Sequence, residues 1–220
     1  MFITFEGPEG GGKTTQIRLL ADWLRDQRCD VITTREPGGT RIGDAVRAIL
    51  LDPEHVEMQP QAEILLFSAA RAQIVGEVIR PHLAGGGVIL CDRFADSTLA
   101  YQGYGRELDL GALRMITSFA TGNLTPDLTI CLDLPVLDGL RRKQGGDTAE
   151  WNRMEREEKE FHERVRAGYL ALASSASERW LVVDARQSID QVQEKIRTRV
   201  RQIMPGHQVM VEGPQEDPTQ

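Results

Sequence analysis

The run Gly7-Pro8-Glu9-Gly10-Gly11-Gly12-Lys13-Thr14 follows the apolar stretch Phe2–Phe5 and opens an amphipathic stretch, Thr14–Gln27. It matches the pattern G-x-x-x-x-G-K-[ST]. The loop must turn tightly and present backbone N–H groups to an anion, so glycine recurs in it. The helix that follows offers its positive N-terminus to the same anion. Lys13 reaches the β- and γ-phosphates of a nucleotide, and the Thr14 hydroxyl is suited to Mg²⁺. A chance glycine-rich turn, in a chain with 21 glycines, would not need both flanks. Gly7, Pro8, Glu9, Gly10, Gly11, Gly12, Lys13, Thr14 and Thr15 are the expected nucleotide cradle.

The rest of the chain agrees with that start. Short apolar runs occur at Phe2–Phe5, Val31–Thr34, Val88–Cys91, Leu128–Leu132 and Trp180–Val183. Each is continuous, as expected of strands buried on both faces of a parallel sheet. Helical patterns lie between them, at Thr14–Gln27, Ile42–Leu51, Gln61–His82, Leu110–Thr121, Val136–Lys143, Arg153–Ser174 and Ile189–Met204. This alternation predicts an α/β fold: a five-stranded parallel sheet in three layers, flanked by helices. Ligands of such sheets gather at the carboxyl ends of the strands. Residues 1–204 read as one domain. A Gly-rich insert at about 142–153 reads as a short mobile lid, and 205–220 as a disordered tail.

Charge and composition narrow the partners. Twenty-six Lys and Arg against 33 Asp and Glu leave a net charge of −7, which argues against nucleic acid and polybasic membrane binding. No stretch approaches the roughly 18 apolar residues of a spanning helix. The opening MFITFEGPEG lacks a cationic start before a long apolar run, so it does not read as a signal peptide. Cys29, Cys91 and Cys131 are dispersed, with no metal-ligand spacing, and read as buried thiols of a reducing cytoplasm.

Val88–Asp92 ends in a carboxylate, the place for a second Mg²⁺ contact, and Arg93 beside it is poised to bridge transferring phosphates. A switch GTPase would need an N-K-x-D base reader and a D-x-x-G switch. Neither is present, since Asp92 is followed by Arg-Phe-Ala. A small one-domain chain with an Arg-flanked insert suits a kinase of small phosphorylated metabolites.

Three motifs resemble one family. Phe5-Glu6-Gly7-Pro8-Glu9-Gly10-Gly11-Gly12-Lys13-Thr14-Thr15 looks like the phosphate loop of thymidylate kinases. Thr34-Arg35-Glu36-Pro37-Gly38-Gly39-Thr40 resembles their T-R-E-P-G-G-T, and Asp92-Arg93-Phe94 with Ser97-Thr98-Leu99-Ala100-Tyr101-Gln102-Gly103 resembles their D-R-[YFH]…S-[ST]-x-A-Y-Q-G. The resemblance runs over about 1–204 and is of the bacterial type. It implies transfer of the ATP γ-phosphate to dTMP, with Mg²⁺ held by Thr14 and Asp92, in a homodimer. Other deoxynucleotide or nucleoside kinases, and a non-catalytic nucleotide switch, stay open as alternatives.

The resemblance also implies roles. Glu9 would accept the sugar 3′-hydroxyl. Phe67 and Arg71, four apart on a helix, would stack on thymine and donate to its carbonyl. Ser97 and Thr98 would lie near the base N3–H, Tyr101 beside C2′, and Gln102 near the base. Arg35 either approaches the monophosphate or ties down the turn at Pro37, itself an expected substrate contact. Lys13 and Arg93 would be catalytic. The phosphate loop supplies no further cation, so the lid should, from Arg142, Lys143 or Arg153. Where family lids carry an arginine before glycine this chain has Gln144, and where they read D-R it has Asn152-Arg153.

Overall fold

The computed structural model describes residues 1–144 and 152–204, apart from the side chains of residues 143 and 144. Most of the expected lid, and the expected tail, lie outside the described residues. The strands are β1 (Phe2–Glu6), β2 (Val31–Arg35), β3 (Val88–Asp92), β4 (Leu128–Asp133) and β5 (Trp180–Asp184). They form one parallel sheet in the order β2-β3-β1-β4-β5. The helices are α1 (Lys13–Asp26), α2 (Arg41–Leu51), α3 (Pro60–Ile74), α4 (Arg80–Ala84), α5 (Ala95–Thr98), α6 (Leu110–Thr121), α7 (Val136–Gln144), α8 (Lys159–Ser175) and α9 (Ile189–Ile203).

Local chemistry sets the helix boundaries. Thr40 caps α2 by accepting from Gly43 N at 2.9 Å, and Asp109 caps α6 by accepting from Ala112 N at 2.7 Å. Ser188 and Gln191 form a capping box on α9. The expected helix from Arg153 instead begins at Lys159. Asn152 Oδ1 accepts from the backbone of Met154 and Glu155, and that side-chain turn competes with a helical start. The expected single helix Gln61–His82 is α3 and α4 joined by a π-helical turn at Val75–Ile79. A second π turn, Leu99–Gly105, prolongs α5; sequence periodicity did not mark this element.

The two faces of the sheet differ. Along β1, Ile3 and Phe5 point into a core with Leu20, Leu24, Leu90, Ile130, Val192 and Ile196, between the sheet and α1 and α9. Burying each such side chain contributes roughly 1.5–3 kcal/mol. Phe2 faces the other way, against Ile74, Ile79, Ile89 and Phe94. Thr4 hydrogen-bonds Thr129 at 3.1 Å, and Thr129 in turn reaches Asp96. Only the central strands are buried throughout. β2 and β5 mix buried with partly or fully exposed residues because each lies at an edge, which corrects the expectation of strands covered on both faces. Cys91 and Cys131 are buried free thiols, and Cys29 is half-buried.

Candidate active site

The carboxyl ends of β1, β2 and β3 open into one cleft of about 340 Å³. At its floor the chain passes from β1 through Gly7–Gly12 into α1. Gly10 has φ +72°, and a Cβ there would strike the backbone of Gly139 in α7. The loop and α7 thus pack main chain to main chain, which only glycine allows. Lys13 Nζ donates to the carbonyls of Gly7 at 3.3 Å and Pro8 at 3.1 Å. Burial, aided by the Arg93 charge, pulls its ammonium below the usual lysine range. An arriving phosphate would satisfy that charge better than neutral carbonyls do.

Thr14 Oγ1 lies 3.5 Å from Asp92 Oδ2. One hydroxyl and one carboxylate oxygen, facing each other beside the phosphate loop, fit Mg²⁺, which takes few protein ligands and completes its shell with phosphate oxygens and water.

Arg93 follows β3 with φ +69°, held by its N–H to Phe5 O at 2.9 Å. Its Nη2 donates to Glu9 Oε1 at 2.5 Å, and its Nη1 to Tyr169 Oη at 2.9 Å and Gly7 O at 3.2 Å. The guanidinium also lies 4.9 Å from the Tyr101 ring centroid. Burial alone would lower its pKa; Glu9, with the neighbouring tyrosines and Glu6, reverses this and holds it well above the usual value. Tyr101 Oη donates to Glu9 Oε1 at 3.0 Å, and burial pushes that phenol up. Glu9 therefore faces Arg93 and Tyr101. Below them Glu6 accepts from Phe94 N, Ser97 Oγ and Tyr169 Oη at 2.6–2.8 Å.

Phe67, Arg71, Thr98 and Gln102 line the same cleft. The buried Arg71 donates to Glu36 Oε2 at 2.6 Å, Thr98 Oγ1 at 2.9 Å and Phe94 O at 3.1 Å. Burial raises the Glu36 carboxyl to about 7, with Arg71 opposing. Gln102 Nε2 donates to Glu63 Oε1 at 2.8 Å. Arg35 and Pro37 also line the cleft, and the Glu36–Pro37 peptide is cis. Arg35 reaches Asp44 Oδ1 at 3.3 Å, which also accepts from Gly39 N at 3.1 Å, and Arg47 donates to Pro37 O at 2.8 Å, so both arginines help to tie down this turn.

The lid candidates part company. Arg142 is exposed and reaches from α7 to Gly10 O at 3.4 Å. Arg153, expected as a lid cation, is not brought to the phosphate loop. Its Nε donates to Leu50 O at 2.9 Å and its Nη2 lies 2.6 Å from Glu63 Oε2, so a buried carboxylate holds it away. The Lys143 side chain lies outside the described residues.

Glu6, Glu36, Glu63, Arg47 and Tyr169 were not singled out from sequence. Glu6 and Glu36 stand inside motifs already quoted, so motif membership could have flagged them. Tyr169 and Glu63 lie in ordinary helical patterns and carry no local signal. The whole arrangement combines a glycine-rich loop with a buried lysine, a facing hydroxyl and carboxylate, an arginine, and an aromatic-and-arginine wall, which suits phosphoryl transfer to a planar nucleotide.

Comparison with known proteins agrees with that chemistry. A family model described as thymidylate kinase matches residues 5–196. The thymidylate kinase of Roseiflexus sp. (strain RS-1) is 57% identical over 206 residues, covering 89% of this chain and 91% of its own. That of Roseiflexus castenholzii (strain DSM 13941 / HLO8) is 58% identical over 207 residues, covering 89% and 90%. The crystal structure of thymidylate kinase from Ehrlichia chaffeensis superposes with a TM-score of 0.73 at 32% identity, over 91% of this chain and 98% of that one.

Proposed function

The chain belongs to the thymidylate kinase family, and from that membership we propose how its residues divide the work of a kinase. The reaction is phosphorylation of dTMP to dTDP with ATP. The acceptor phosphate oxygen attacks the γ-phosphorus in line, the bond from that phosphorus to the β,γ-bridging oxygen breaks, ADP leaves, and no covalent enzyme intermediate forms. Catalysis is positioning plus charge stabilisation. Gly7–Thr15 hold the ATP phosphates, and Lys13 neutralises charge on the β- and γ-oxygens. Thr14 and Asp92 would hold Mg²⁺, which would supply screening of the phosphate charges.

Arg93 bridges the transferring group and the acceptor phosphate. Glu9 accepts the 3′-hydroxyl, and Tyr101 walls off C2′. Phe67 stacks on thymine, and Arg71, with Thr98, Ser97 and Gln102 nearby, reads the base edge. Arg35 and Pro37 border the monophosphate. Arg142 supplies the lid cation, supported by its reach to the phosphate loop.

The protein acts in the cytoplasm as a homodimer, and 1–204 work as one domain. Supporting the dimer, Ile42, Ile49, Leu65, Met115 and Phe119 are exposed on α2, α3 and α6. Among the described residues, no helix is long and apolar enough to cross a membrane. What carries the acceptor reading is that one cleft is lined by Lys13, Thr14 and Asp92 and also by Phe67, Arg71 and Thr98. Steady-state ADP release with dTMP, dUMP, dCMP, dGMP and AMP tests it. The expected outcome is a kcat/KM highest for dTMP and a Lys13→Ala variant that is folded and nearly inactive. A different preferred acceptor would overturn the assignment.

A further inference from the structure

Tyr169 lies in α8, 76 residues from Arg93 in sequence, and its side chain is fully buried. Its hydroxyl is where the phosphate strand, the segment after β3 and α8 meet. The O–H donates to Glu6 Oε2 at 2.8 Å, the oxygen accepts from Arg93 Nη1 at 2.9 Å, and Ser97 Oγ lies 2.8 Å away. A buried tyrosine with a packing role alone needs one partner for its hydroxyl. Here the hydroxyl links the Glu6 carboxyl to a guanidinium, and the hydrogen bond from Arg93 is charge-assisted.

The two ends of the Arg93 guanidinium are held differently. Nη2 rests on Glu9, a partly exposed loop side chain in contact with the cleft. Nη1 donates to Tyr169 Oη at 2.9 Å, closer than its contacts with Gly7 O at 3.2 Å and Ser97 Oγ at 3.5 Å, and Tyr169 packs against the Tyr101 ring at 6.2 Å in a core with Leu113, Val165 and Leu172. The tyrosine is thus the fixed end, and Glu9 the end open to ligand. Direction matters in such a group, since a displacement of about 1 Å in a transition-state contact costs on the order of a hundredfold in rate.

We propose that Tyr169 is a positioning residue for phosphoryl transfer: anchored on Glu6, its hydroxyl sets the direction of the Arg93 guanidinium and ties α8 to the phosphate site. This rests on the reading of Arg93 as the arginine of the transferring phosphates. Tyr169→Phe removes the hydroxyl and keeps the ring. In the full chain it should lower kcat about 10- to 100-fold, the worth of one hydrogen bond to a charged group. The KM for ATP should stay within about twofold, because the phosphate cradle is untouched.

In an Arg93→Ala background the same change should cost less than about twofold more, because residues that act through one another are not additive. Glu6→Gln, which keeps the volume and weakens the anchor, should lower kcat by a smaller factor, and it serves if Tyr169→Phe does not fold. A folded Tyr169→Phe with a lowered Tm but wild-type kcat refutes the positioning role and leaves a structural one. Full additivity with Arg93→Ala refutes it as well. An Arg93→Ala enzyme with wild-type kcat overturns the Arg93 reading and the proposal together, whereas a crippled Arg93→Ala beside a wild-type Tyr169→Phe overturns only the proposal.

Discussion

Tyr101 stands between two charges, with its hydroxyl on Glu9 and its ring against the Arg93 guanidinium. In the role proposed for it beside C2′, it should act through the bulk of the ring rather than the hydroxyl. Tyr101→Phe should therefore keep most of the preference for dTMP over the matching ribonucleotide, and Tyr101→Ala should lose it. Unchanged kcat/KM ratios in the Ala variant would move the sugar gate elsewhere. Glu6 makes a different kind of prediction. Burial, with Asp96 adding to it and Arg93, Ser97 and Tyr169 opposing, raises its carboxyl from 4.5 to about 7. Between those values the folded state binds the proton more tightly than the unfolded state. Stability from this group is thus full below about pH 4.5 and lost as pH rises to about 7. Glu6→Gln cannot titrate, so its Tm should fall less than the parent's between about pH 5 and 7. Parallel Tm curves for the two proteins would show that Glu6 does not titrate in that window.

At the scale of elements, α7 and the turn that precedes α8 hold the two lid-cation candidates, Arg142 and Arg153, in unlike surroundings. Arg153 is 9% exposed on Glu63, which also holds Arg106 and Gln102. Arg153→Ala should lower Tm, at a cost of about 1–3 kcal/mol, because Glu63 keeps Arg106. Arg142→Ala should leave Tm unchanged and lower kcat and kcat/KM together. Assays at saturating dTMP with varied ATP, beside thermal melts, separate the two; a stable Arg153→Ala with lost kcat would reverse the assignment. This contrast also shows what sequence can carry. The strands were legible because Phe2–Phe5, Val88–Cys91 and Leu128–Leu132 are apolar runs bounded by turns. The phosphate loop was legible because its chemistry is local. Ala95–Gly105 was not read as a helix, because its polar residues face the cleft and blur the apolar period. The Arg153–Glu63 contact carries no local signal, because Glu63 comes from a distant helix. Tyr169 was missed for the same reason: a tyrosine in an amphipathic helix reads as packing until the fold brings Glu6 and Arg93 to its hydroxyl.

For the whole molecule, the layer α2–α3–α6 has two unlike sides. Inward, α3 carries Phe67 and Arg71 to the cleft. Outward, the same layer exposes Leu65 at 59%, Met115 at 71% and Phe119 at 91%, with Ile42 and Ile49 at 46% and 44%. Ile42 and Ile49 are seven apart, and Met115 and Phe119 four apart, so each pair shares a helix face. α2 packs on α3 and α3 on α6, so these residues belong to one helical layer. An apolar area of that kind is costly in water for a monomer and suits a two-fold interface, in which one patch meets its own copy. Pairing would also brace α3 from behind, where its inner face lines the cleft with Phe67 and Arg71. The parent should therefore scatter light as a particle of twice the 24.6 kDa chain mass at about micromolar concentration. Met115→Glu with Phe119→Glu places two like charges from each copy in the patch and should give the single-chain mass, because like charges juxtaposed across an interface repel. If α3 is braced by pairing, that variant should also show a raised KM for dTMP with an unchanged KM for ATP. A parent that scatters as a single chain would remove the dimer, and a monomeric variant with parental KM for dTMP would separate assembly from substrate binding.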